Sequence, residues 1–259
     1  MKIKQTILAA TVALSAAFGL PSCGDDDVMP IYLTDAENNT ELTSDNLTID
    51  AFSEGEKFII QGGKGNYSIS VTDKSVITFH YDGDTLTLLP LGTGTSETLI
   101  ADRAGNSLVV NVSVENPSAE LSVTETTAEV TGDDLTQEQT RNLQLKIAQE
   151  GVALAGGRFV FTFADKEHST GDVKIYPEAT GNYKVGIFTR MTKYDEDTGE
   201  SYDCIQIRMA DSTDGKLTFH ITGSDTEYVF REDVTDQYRG SYPALEDAAR
   251  IYRLKKTVG

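Results

Sequence analysis

No tryptophan occurs in this chain, and it has only two cysteines and three histidines. Without tryptophan, the largest flat aromatic platform for stacking a sugar ring is missing, and the 11 tyrosines are left for that task. Two cysteines, Cys23 and Cys204, cannot build a disulfide framework. His80, His168 and His220 are scattered, with no HExxH and no paired cysteines, so no metal site is expected. Cations are also scarce. Lys+Arg number 22 against 41 Asp+Glu, a net charge of −19. Phosphate backbones require clustered cations, so a nucleic-acid partner is excluded. Nucleophile motifs of the G-x-S-x-G kind are absent, and the "GGKGNY" of residues 62–67 lacks the Lys-Ser/Thr ending of a phosphate loop. The sequence therefore points to no catalytic residue and no cofactor.

A long apolar run is missing too. The charge-free stretch "ILAATVALSAAFGL" from Ile7 to Leu20 spans about 21 Å as a helix. That falls short of the roughly 30 Å hydrocarbon core. Lys2 and Lys4 precede it and small residues close it, the order of an export signal over residues 1–22. Leu20-Pro21-Ser22-Cys23 follows. This stretch resembles the lipobox of bacterial lipoproteins, with Pro21 standing where a small residue is usual. The resemblance implies cleavage before Cys23, a diacylglyceryl group on its thiol and an acylated amino terminus. Each buried methylene contributes about 0.8 kcal/mol, and two chains already anchor stably. Gly24 and Asp25-Asp26-Asp27 are similar to the acidic tag that directs some Gram-negative lipoproteins across the outer membrane. A surface-displayed, lipid-anchored protein is the expectation, its membrane partner reached through the lipid alone.

From Gly24 to Asp45 the chain carries seven carboxylates and no lysine or arginine. Residues 23–45 therefore read as a self-repelling tether. Between 46 and 116 the pattern is one short strand after another. "VITFHY" and "TLTLLP" flank the turn Asp82-Gly83-Asp84, and "TLIA" and "SLVVNVSV" flank "DRAGN". Regular short strands without a helix predict a β-sandwich. The "GGKGNYSIS" opening, the "PLGTGT" approach and the closing "ADRAGNSLVVNVSV" resemble bacterial Ig-like domains, which implies a spacer or adhesion module.

Pro117 in "ENPSAE" marks a boundary, and residues 118–259 are expected to form a second domain. "LSVTETTAEV" predicts an entry strand. In "DDLTQEQTRNLQLKIAQE" Thr136 and Gln139 fit a capping box, so a helix is expected despite the alternation of Leu143, Leu145 and Ile147. Strands resume with Phe159, Phe161 and Phe163 on one face of "RFVFTF". They continue through Val173/Ile175, Ile205/Ile207/Met209 and Leu217/Phe219/Ile221. Thr235 is expected to cap a short second helix, and "ARIYRLKK" closes the chain as strand or helix. The whole reads as mainly β: an Ig-like β-sandwich, then an α+β domain with a mostly antiparallel sheet and one or two helices.

Few residues invite chemistry. Cys204, without a partner, is expected as a strand-packed free thiol. "YDEDTGESYD" gathers Asp195, Glu196, Asp197, Glu200 and Asp203, but Gly199 falls where a calcium loop needs an oxygen, so a solvated hairpin tip is expected. The site residues are thus Cys23 for lipid and Asp25, Asp26 and Asp27 for export. Two function classes remain. One is a non-catalytic envelope lipoprotein that contacts a protein or glycan. The other is an envelope hydrolase or inhibitor whose site would form in the second domain as a deep, polar-lined pocket.

Overall fold

The computed structural model describes residues 29–194, 199–210 and 215–257. Cys23, Asp25, Asp26, Asp27, Asp195, Glu196 and Asp197 lie outside the described residues. The chain divides into two compact units, one up to Pro117 and one from Ser118 to Val258.

In the first unit the strands are β1 (Tyr32–Asp35), β2 (Asn46–Asp50), β3 (Glu56–Gln61), β4 (Ser68–Val71), β5 (Ile77–Asp82), β6 (Thr85–Pro90), β7 (Gly94–Ala101) and β8 (Ser107–Glu115). One sheet has the order β1-β3-β6-β5, all antiparallel; the other is β2-β8-β7-β4, in which β2 and β8 run parallel. Alternation puts Leu33, Phe58, Ile60, Leu86 and Leu88 of the first sheet into one core with Leu47, Ile49, Val110, Val112 and Val114 of the second. The anticipated 82–84 turn joins β5 to β6, with Gly83 at φ +70°.

The acidic tether expected over residues 23–45 is interrupted. Tyr32–Asp35 pairs with β3 from Tyr32↔Gln61 to Asp35↔Phe58, and Thr34 bridges Glu41. Ile31 and Leu33, only 5% and 2% exposed, supply the reason: burying two large aliphatic side chains outweighs the repulsion of the surrounding acids.

The second unit consists of β9 (Ser118–Thr131), α1 (Gln137–Gln149), β10 (Arg158–Phe163), β11 (Thr170–Tyr176), β12 (Lys184–Tyr194), β13 (Ser201–Met209), β14 (Lys216–Gly223), β15 (Glu227–Asp233), α2 (Thr235–Arg239) and β16 (Asp247–Lys256). Each strand pairs antiparallel with the next, and β16 returns to β9, closing an eight-stranded barrel. The expected mainly β chain, with mostly antiparallel sheets and one or two helices, is what the structure has, two helices lying among the described residues. Closure into a barrel is the feature that local patterning did not reveal. α1 carries the anticipated capping box between Thr136 and Gln139. Thr235, by contrast, caps nothing. α2 starts from Val234 without a side-chain cap, because the Thr235 hydroxyl is engaged with the backbone of Ala248, accepting from its N–H at 2.9 Å and donating to its carbonyl at 3.3 Å.

An irregularity in the closing pair sets where α1 lies. Leu254 pairs with Val123 and Arg253 with Glu125, leaving Thr124 without a partner across the ladder. One extra residue flips the alternation of the strand. Leu121 and Val123 face the barrel core before the bulge, and Ala128 and Val130 take that side after it. Leu143 and Ile147 of α1 pack there with Val130, Val234, Tyr238, Leu245 and Ala248. The helix thus stops one end of the barrel.

Two carboxylates hold loops by accepting backbone N–H groups. Asp102, 8% exposed, accepts from the N–H groups of Lys64, Ala104 and Asn106 and from the Asn106 side chain. Asp165 accepts from the N–H groups of Ser169 and Thr170 and from both hydroxyls. The Asn106 amide first, then the backbone donors, hold Asp102 down at about 2. The Ser169 N–H first, then the Thr170 hydroxyl, hold Asp165 down at about 2. An unfolded aspartate titrates near 3.9, so the stabilisation from each is complete above that value and lost as pH falls through about 2. Acid unfolding followed by circular dichroism should therefore show a shallower loss between these values for Asp102→Asn or Asp165→Asn than for the parent. Parallel curves would refute the loop-holding role.

Candidate binding surface

Among the described residues, the barrel interior is packed with aromatic and aliphatic side chains. Phe159 sits among Phe219, Phe230 and Tyr252 with ring centroids 6.1, 5.8 and 6.0 Å apart and edge-on geometry. Phe161 meets Phe188 edge-on at 5.0 Å. Val173, Ile175, Ile207 and Leu254 complete the packing. Eight strands enclose a space that side chains can just fill, and here aromatic rings fill it. Inside is apolar and outside is charged, the reverse of a barrel that spans a membrane. No helix among the described residues is long and apolar enough to cross one.

The polar groups beneath α1 form a latch. Arg250 and Glu232, 3% and 5% exposed, pair at 2.7 Å. Arg250 Nε also donates to the Ile147 carbonyl at 2.7 Å, satisfying an orphan acceptor at the negative end of α1. Tyr252 accepts from the Val152 N–H at 3.1 Å, and its hydroxyl faces Glu232. Burial, then the charge of Glu232, pushes the Tyr252 phenol up. Tyr238 donates to Glu150, and burial followed by that contact raises it to about 12. Each of these groups has a partner, so the cluster ties a helix down rather than offering a nucleophile.

The sequence-derived candidates are not brought together. Cys204 is buried in β13 and free, with its thiol pushed up by burial. His80 is exposed, His168 stacks on Phe163 at 4.1 Å, and His220 leans on Tyr202 at 4.7 Å. Among the described residues no group of three metal-ligating side chains gathers.

What sequence reading missed lies on the outer face of β10 to β13. Phe188 and the buried Gly186 point inward, so Val185 and Ile187 point out and are 46% and 49% exposed. Tyr183 beside them is 48% exposed and packs on Tyr176 with centroids 5.2 Å apart. The Arg158 guanidinium stacks 3.7 Å from the Tyr176 centroid, and the Lys174 ammonium lies 5.2 Å from that of Tyr183. Register places Arg208 beside Ile187 and Lys216 beside Arg208. A depression of about 140 Å³ opens there, lined by Ile187, Thr189, Gln206, Ile207, Arg208 and Lys216. Among the described residues no carboxylate comes within 4.0 Å of Lys174, Arg208 or Lys216. The available signal was "KVGIF", in which residues of both parities are apolar although only one face can enter a core.

No protein-family model matches the chain, and no curated protein does. A weak structural likeness is found to a multidomain protein including DUF1735 from Bacteroides ovatus, at 11% identity. It covers 87% of this chain and 94% of that one, with a TM-score of 0.24.

If the latch holds α1, breaking one side of it leaves a buried charge. Glu232→Gln and Arg250→Met should each cost about 3–5 kcal/mol in urea unfolding of the barrel. The double variant Glu232→Leu/Arg250→Met should cost less than the two single effects together. Single costs indistinguishable from zero would show that the pair holds nothing.

Proposed function

We propose that the protein is a lipid-anchored envelope protein, attached at Cys23 to the outer membrane and displayed at the cell surface. The sandwich serves as an Ig-like spacer, and the barrel makes non-catalytic contact with a macromolecular partner, a protein or a glycan. The observation that carries this reading is the filled barrel. With Phe159, Phe161, Phe219, Phe230 and Tyr252 occupying the interior, a partner is met on the outside. The outer face of β10 to β13 holds three of the exposed large apolar residues on one short stretch, Tyr183, Val185 and Ile187.

The lipidation signal and the acidic run support the address. Cys23→Ser should abolish incorporation of labelled fatty acid, while Cys204→Ser should leave it intact. Replacing Asp25, Asp26 and Asp27 with alanine should keep the label but protect the protein from protease added to intact cells. An unlabelled parent protein would remove the lipid anchor. Equal digestion of parent and triple variant would reduce the aspartates to a spacer.

A further inference from the structure

We infer that the outer face of β10 to β13 docks an acidic face of another protein, which lays an apolar side chain over Val185 and Ile187. The inference rests on the reading of the barrel as a binding module and supplies its partner. It begins from a charge anomaly. The chain carries a net charge of −19, yet Arg158, Lys174, Arg208 and Lys216 lie together around Val160, Val185, Ile187 and the two tyrosines. Among the described strand residues of this face, the opposite sign is carried by Glu120, within 3.5 Å of Arg158, and Asp172, across from Ile187. An apolar centre with arginine and tyrosine at its margin is the anatomy of a protein interface. The depression of about 140 Å³ beside Ile187 is lined by Thr189, Gln206, Arg208 and Lys216, hydrogen-bond donors for a partner's carboxylates at the edge of the apolar centre.

The alternatives fit less well. A second copy presenting the same face would set the four cations against four cations, and like charges across an interface repel. A glycan would find Val160, Val185 and Ile187 without a hydrogen-bonding group. Tyr176 is already covered by Arg158, and Tyr183 is tilted 47° from it, so no coplanar platform remains.

The test uses the full-length Cys23→Ser chain and fluorescence polarisation. Its probes are a short peptide alternating glutamate with leucine and phenylalanine, the same peptide with lysine for glutamate, and polygalacturonate. The acidic apolar peptide should bind and slow hydrogen exchange in residues 183–189 and 206–208. The lysine peptide should not. Lys174→Glu combined with Arg208→Glu should weaken binding about tenfold or more, as should Ile187→Ser. Arg253→Glu, outside this face, should change nothing. Thermal midpoints of the variants verify folding, since the substituted side chains are exposed. Absence of binding, equal binding of the lysine peptide, or indifference to the substitutions would overturn the proposal. So would binding of polygalacturonate that survives Ile187→Ser, which would identify an anionic glycan as the occupant. None of these results alters fatty-acid labelling or surface digestion, so failure here is distinct from failure of the envelope reading.

Discussion

The pairing of β9 with β16 is the contact on which the second unit depends. These strands stand at opposite ends of its sequence and meet from Thr131↔Asp247 to Leu121↔Lys256. Unpaired, each would present a row of unsatisfied backbone groups; joined, they leave the sheet without an edge. The bulge at Thr124 lies in this seam. By flipping the alternation, it keeps Ala128 and Val130 turned toward α1 after Leu121 and Val123 have served the barrel core. Arg250 belongs to the same strand and reaches the Ile147 carbonyl at the end of α1. Helix position, buried ion pair and barrel closure are thus consequences of one strand pair. The loop that must close to form it spans the whole unit, which makes it expensive in chain entropy.

Closure with aromatic filling is the basis for the proposal that a partner is met on the outer surface. Five rings, those of Phe159, Phe161, Phe219, Phe230 and Tyr252, leave the interior to packing. In that proposal, specificity comes from the arrangement of outward side chains. The observation behind it is that a small basic and apolar face stands on a strongly acidic molecule. Elsewhere the acidity serves solubility and discourages indiscriminate contact.

Much of the fold was legible because it is local. Period-two alternation in "RFVFTF", "YDCIQIRM" and "KLTFHI" identified the residues that enter the core, and Thr136 with Gln139 announced the start of α1. The features that were not legible depend on distant partners. β1 was hidden because Ile31 and Leu33 sit within an acidic run, and only the neighbouring β3 reveals them as a strand. Nothing in "ARIYRLKK" distinguishes buried Arg250 from exposed Arg253, since burial depends on Glu232 and Ile147 from other elements. The same limit hid the outer face, because Arg158, Lys174, Arg208 and Lys216 come from four strands and meet only through register. For Cys23 and Asp25 to Asp27 the balance is opposite: their reading rests on sequence alone, as they lie outside the described residues.

Native-state hydrogen exchange tests the central claim, that closure of β9 on β16 holds the barrel as one packed unit. If it does, the backbone amides of β16 should exchange only through the same global opening as those of β10 to β13, with matching denaturant dependence. Early loss of protection in β16 while β10 to β13 stay protected would mean an open sheet with a loosely held last strand. That result would contradict the account.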